Sequence, residues 1–224
     1  MNCQRHLCRF LFLWLGALFT ALFFAACNSG EQQRLQLEEL ERQNRADSLM
    51  LNDSLARDLA DYFDRHGTPN EQMRAYYILG RTYADRGEAP AALDAYHEAI
   101  SRADTTAQDC DYKTLSRVHA QKAELFYYQL LADNMIREER QAMRYALLAR
   151  DTMQYLYCYG LMAEGYDMKN MADSALYFLN EVYKLYRHHC FKGYTLYLNY
   201  CTCVQVFDRE NQVPVLSPHN IAVL

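Results

Sequence analysis

The stretch YYILGRTYADRGEAPAALDAYHEA, residues 76–99, decides the fold. Tyr76, Leu79, Gly80 and Tyr83 recur at spacings of three and four, so they share one face of a helix. Gly87 then stands where the chain must turn, and Pro90 stands where a second helix opens, because the N–H that proline lacks is unpaired in a first helical turn anyway. Ala92, Tyr96 and Ala99 form the apolar face of that second helix. Gly80 and Ala92 are small where the two helices would cross closely, and Tyr83 and Tyr96 fill the space beside the crossing. Just upstream, Thr68-Pro69-Asn70-Glu71 is a capping box with proline at the first helical position. A helix from Pro69, a turn at Gly87 and a second helix opened by Pro90 follow.

The pattern recurs. Tyr159-x2-Met162-Ala163-x2-Tyr166 leads, nine residues after Tyr166, to Ala175-x3-Leu179 and then Val182. Asn170, which tolerates left-handed backbone, takes the turn, and Asp173 or Ser174 can cap the second helix. Between these copies lies a degenerate one, with His119, Lys122, Ala123 and Phe126 on its first helix. Its second helix is expected about seven residues late, with Ala142, Ala146 and Ala149 on the inner face. From Tyr83 to Tyr166 is 83 residues, where two repeats of about 34 would span about 68. A linker at 101–112 and a longer turn near 131–135 are expected to absorb the excess. Upstream, Leu55, Leu59, Tyr62 and Phe63 mark another helix, closed by Gly67. Downstream, Leu196 and Tyr200 keep the register for half a repeat, until Pro214 and Pro218 forbid a further helix.

Tyr-x2-Leu-Gly-x2-Tyr followed nine residues later by Ala-x3-Tyr resembles the tetratricopeptide repeat. The resemblance covers about residues 50–210. It implies an all-α protein, a right-handed α-solenoid of antiparallel helix pairs, with about three repeats plus flanking helices over 47–210. It also implies a concave groove lined by the first helices. Carried onto this chain, the groove positions are Arg74, Tyr77, Arg81 and Asp85 in the first copy, Glu124 and Tyr127 in the degenerate one, and Glu164 and Asp167 in the third. Such a groove offers aromatic faces and mixed charge to a protein or peptide partner. Most of the 19 tyrosines in the chain would be core.

The N-terminus carries a different signal. Arg5 and Arg9 precede FLFLWLGALFTALFFAA, residues 10–26, and small residues lead into Cys27. A positive flank, an apolar run and small residues at its end are the parts of a secretion signal. The junction resembles the lipobox of bacterial lipoproteins, with Phe24 where that motif usually has an aliphatic residue. It implies a signal peptide over 1–26, lipidation of Cys27, a polar tether over 27–46 and a place in the cell envelope, on the periplasmic side or the cell surface. The alternative is an uncleaved anchor, since the run is near the short limit for a membrane span. With the run at 103–112, these features look like repeat lipoproteins of Gram-negative anaerobes. Longer members of that group continue into a membrane helix and a signalling output. Two roles are therefore expected: a lipid-anchored scaffold, or the sensory part of a signalling protein whose output is missing. The irregular tail, 211–224, suits a truncated gene product.

A net charge of -5 argues against a nucleic-acid surface. There is no G-x-S-x-G, no phosphate loop and no H-E-x-x-H, so neither an enzyme nor a cofactor or metal site is expected. Cys110, Cys158, Cys190, Cys201 and Cys203 are expected as small buried hydrophobes, with a disulfide or a soft-ligand site near His188-His189-Cys190 as the alternatives.

Overall fold

The computed structural model describes residues 30–189, without the side chains of 183 and 185–189. The signal peptide, Cys27, the half-repeat at Leu196 and Tyr200, the tail and the last three cysteines lie outside the described residues.

Eight helices make up the described chain: α1 (30–45), α2 (Asp53–His66), α3 (Pro69–Asp85), α4 (Ala89–Arg102), α5 (Tyr112–Tyr128), α6 (Ala132–Leu148), α7 (Thr152–Met168) and α8 (Ala172–His189). They stack as four antiparallel pairs, α1–α2 to α7–α8, one more pair than the sequence pattern suggests. The additional pair comes from the segment expected as a tether. Its Leu37 and Leu40 are buried in one core with Leu59, Phe63 and Ile78. A stripe of two leucines in a polar helix is too narrow to identify as a packing face until its neighbours are known.

Local chemistry explains the helix ends. Thr68 and Glu71 form the expected capping box, with Pro69 in the first turn. Asn52, Asp111 and Asp151 cap α2, α5 and α7, each side chain accepting from the backbone N–H three residues on. The turns inside the last three pairs are built alike. Gly87, Leu130 and Asn170 each take positive φ, at 77°, 57° and 55°. The N–H of the next residue then donates to a carbonyl five back, as Glu88 to Tyr83, Leu131 to Phe126 and Met171 to Tyr166, each at 2.9 Å.

That shared turn corrects the register of the degenerate repeat. Its second helix is not late: α6 opens at Ala132, straight after a turn at 129–131. Met135, Glu139 and Ala142 therefore take the places of Ala92, Tyr96 and Ala99. All three are buried, and it is their chemistry that departs from the pattern. The extra residues lie in the linker 103–111 and in α6, which has 17 residues against 14 in α4. Cys110 and Cys158 are buried free thiols, as expected.

Candidate functional site

The first helices, α1, α3, α5 and α7, lie side by side. α3 packs on α5 and α5 on α7. α1 joins α3 through polar contacts, among them Arg34 Nε donating to Glu71 Oε1 at 2.7 Å. Arg74 Nε donates to Glu41 Oε1 at 2.6 Å, and Asn44 Nδ2 donates to the Tyr77 hydroxyl at 3.2 Å. At the centre of this face is a cavity of about 230 Å3. The end of α1 supplies Asn44 and Arg45, the turn after it Asp47, and α3 supplies Tyr77 and Arg81. α5 adds Arg117, Ala120 and Gln121, and α7 adds Gln154 and Tyr157.

Of the expected groove residues, Tyr77 and Arg81 line this cavity. Tyr77 is buried, and that burial pushes its hydroxyl above the ordinary tyrosine value, against the Asn44 hydrogen bond and the nearby arginines. Arg81 donates to Asp85 at 2.9 Å and to the Gln121 side-chain carbonyl. Asp85 also accepts from the backbone N–H of Met50, at 2.9 Å, so it ties the loop after α1 to α3. Arg74 and Asp85 therefore hold the first pair in place. Glu124 accepts from Gln121 Nε2 at 3.0 Å, at the cavity edge. Tyr127 is exposed near the end of α5, outside the cavity; the charge of Glu164, then burial, raises its hydroxyl. Glu164 and Asp167, half-buried in the second half of α7, also fall outside the cavity lining.

Sequence reasoning missed Arg117, Gln121, Gln154 and Tyr157. The signal was present: with the turns aligned, α5 follows α3 by 43 residues and α7 follows α5 by 40, as Gly87, Leu130 and Asn170 show. Those steps carry Arg74 to Arg117 and then to Tyr157. The contribution of α1 had no such signal.

A second polar cluster lies inside α5–α6. His119 Nδ1 is 2.8 Å from Glu138 Oε2, and Lys122 Nζ is 3.3 Å from Glu138 Oε1. Burial pushes the Glu138 carboxyl up, but the His119 hydrogen bond and the Lys122 charge together hold it below the ordinary carboxylate value. Beside it, Glu139 is fully buried and neither oxygen has a hydrogen-bond partner of good geometry. Among the described residues no group of histidine, cysteine or acidic side chains could hold a metal ion.

The architecture matches known structures. Crystallised, nearly identical TPR-like repeats of a Podosopora anserina protein assigned as a kinesin light chain superpose with a TM-score of 0.63. The match covers 81% of this chain and 88% of that one, at 10% sequence identity. A variant of the same protein matches with a TM-score of 0.63 at 11% identity, over 81% and 87% of the two chains. The chain thus has a TPR-like repeat fold. No protein-family model and no curated protein sequence matches it.

Proposed function

We propose that the chain is a lipid-anchored, extracytoplasmic scaffold that holds a protein partner in its concave face, and that it binds rather than catalyses. The observation that carries this reading is the cavity among the four parallel first helices, walled by arginine, amide and tyrosine side chains. These side chains suit polar peptide recognition, and no nucleophile–base pair accompanies them. The small residues before Cys27 support the anchor. Among the described residues no helix is long and apolar enough to cross a membrane.

The anchor and the fold together imply an orientation. Gly30, the first described residue of α1, follows Cys27 by three residues, a reach of at most roughly 10–11 Å. With Cys27 acylated, the first turn of α1 lies near the bilayer. α3, α5 and α7 run parallel to α1 and start at the same edge, so the groove crosses them roughly along the membrane surface.

Two measurements test the proposal. Cys27→Ser should abolish incorporation of labelled fatty acid, and unchanged labelling removes the anchor. A photo-crosslinking residue placed at Gln121 or Tyr157 in living cells should give discrete protein adducts. The same residue at Glu98 or Tyr177, on second helices, should not. Adducts of equal yield from both sets of positions would rule out the groove as the binding face.

A further inference from the structure

We propose that the corner where α6 meets α7 is a second membrane contact, its exposed leucines and methionine dipping into the same bilayer that holds the lipid on Cys27. This deepens the anchored-scaffold reading and rests on it.

The topology brings that corner to the anchored edge. α1 begins at Gly30, close behind Cys27, and α5 and α7 run parallel to it. α6 runs the other way, so its last turn and the first turn of α7 lie at the edge where α1 begins. There Leu147 is 60% exposed, Leu148 52% and Met153 40%. Single exposed apolar side chains are ordinary, but three grouped at one corner beside a membrane attachment are placed to leave water together. The opposite edge also exposes apolar residues, among them Leu130, but it lies a helix length, roughly 25 Å, from the attachment.

The corner is a built turn. The Asp151 N–H donates to the Ala146 carbonyl at 2.9 Å and the Arg150 N–H to the Leu147 carbonyl at 3.1 Å, with Arg150 at φ 54°. The acid at this corner is engaged within the protein. Asp151 accepts from the Gln154 backbone N–H at 3.1 Å, and Lys113 Nζ is 3.6 Å from it. Arg144 and Arg150 flank the leucines and are exposed. Arg144 precedes Leu147 and Leu148 by about one helical turn, which places it on the same outer face of α6. Long arginine side chains can reach lipid phosphates while the leucines beneath them meet the acyl chains. The exposed acids Asp104 and Asp109 lie on the same edge in the linker before α5, so the contact is confined to the α6–α7 corner. A domain held at one point is free to turn about it. A second point fixes the direction in which the groove opens.

The test uses the full chain made in cells, extracted in mild detergent and reconstituted into vesicles of phosphatidylcholine and phosphatidylglycerol. Trp14→Phe removes the only tryptophan. In that background a single reporter is placed as Leu148→Trp or Met153→Trp, with Leu130→Trp on the opposite edge as the control. Both corner reporters should shift to the blue and lose about half of their emission or more to lipids brominated about 5–10 Å below the headgroups, the depth reached by interfacial side chains. Leu130→Trp should keep the spectrum of a water-exposed indole. Adding Leu147→Asn to the Met153→Trp chain should weaken its quenching while the circular dichroism stays unchanged. Flotation with the vesicles reads the anchor separately. A chain that floats while its corner reporters stay in water overturns the inference and leaves the anchor standing. Equal quenching at Leu130→Trp overturns it too, because no defined edge then meets the bilayer. So does a corner reporter that is blue-shifted but unquenched, since protein rather than lipid then covers the edge. A chain that does not float removes the anchor and the inference together.

Discussion

Midway along the second helix of each pair lies a slot that faces the partner helix. In α3–α4 it holds Tyr96, and in α5–α6 the same slot, 43 residues on, holds Glu139. Both side chains are fully buried. The exchange extends to the neighbours. Tyr76, Leu79 and Ala95 in one pair correspond to His119, Lys122 and Glu138 in the other, and those three form the polar network beside Glu139. The turn is the same in both, closed by a 2.9 Å hydrogen bond, although α6 runs to 17 residues against 14 in α4. Helix-pair geometry is therefore set by the turn and the small residues at the crossing, and it tolerates large changes in what fills the slot. The tolerance has a cost in stability, and that cost depends on pH.

Four substitutions probe this contrast. Tyr96→Ala should have the largest effect. It empties a fully buried aromatic slot and should cost about 3–5 kcal/mol. A loss below 1 kcal/mol in urea denaturation would show that the slot is not an anchor of α3–α4.

Gly80→Ala comes next. A methyl group there would lie 2.3 Å from Tyr96 Cε1, and the ring is fully buried with no room to withdraw. The clash should cost about 1–3 kcal/mol net, against a helix-propensity gain of about 1 kcal/mol. In the Tyr96→Ala background the sign should reverse, because the ring is gone and only the propensity gain remains. Additive losses in that double-mutant cycle would disprove the contact.

Glu139→Leu should act in the opposite direction, toward the residue that α8 has in this slot, Leu179. Burial pushes the Glu139 carboxyl well above its ordinary value, the Cys158 thiol acts against this, and Glu164, Glu124 and Glu138 reinforce it. The folded chain thus keeps a proton that the unfolded chain releases at ordinary carboxylate pH. Stability from this group is full below that ordinary value and is lost as pH rises toward the raised one. Glu138 runs the other way: its lowered carboxyl contributes stability above the ordinary value and loses it as pH falls through the lowered one. Leucine at 139 should gain about 1–3 kcal/mol near neutral pH, with a smaller gain near pH 4. A gain in melting temperature that does not change between the two pH values would show that Glu139 does not titrate in this way.

Leu130→Gly is the smallest and concerns the turn. Leu130 and Gly87 adopt the same left-handed backbone, which costs a side-chain-bearing residue about 1–2 kcal/mol. Glycine removes that strain but loosens the unfolded chain by about 0.4–1 kcal/mol. A net gain of up to about 1 kcal/mol is expected. A loss would mean that the exposed Leu130 side chain makes a stabilising contact.

Much of this is legible in the sequence. The α3–α4 pair could be read residue by residue, because its core follows the repeat's small and aromatic alternation and its ends carry capping box, glycine and proline. In α5–α6 an alanine-rich face at Ala142, Ala146 and Ala149 drew the register away from Met135 and Glu139, since a charged residue is not expected in a core slot. Of the groove positions, Tyr77 and Arg81 reached the cavity. Arg74 and Asp85 fell to the packing of the first pair, which no repeat pattern announced.

By itself the sequence determined that residues 69–102 form two helices joined by a tight turn, that the unit recurs, and that a signal-like apolar run precedes it. Periodicity, capping and the demands of positive φ are local, and local chemistry is written in consecutive residues. Only the tertiary structure decided that 30–45 belongs to the stack, that the Glu139 carboxyl is buried, and which side chains of four helices meet in one cavity. Those outcomes depend on neighbours distant along the chain: Cys158 lies 19 residues after Glu139, and the cavity brings Asn44 together with Tyr157, 113 residues on. Burial and charge pairing are properties of that assembled neighbourhood, and no single helix carries them.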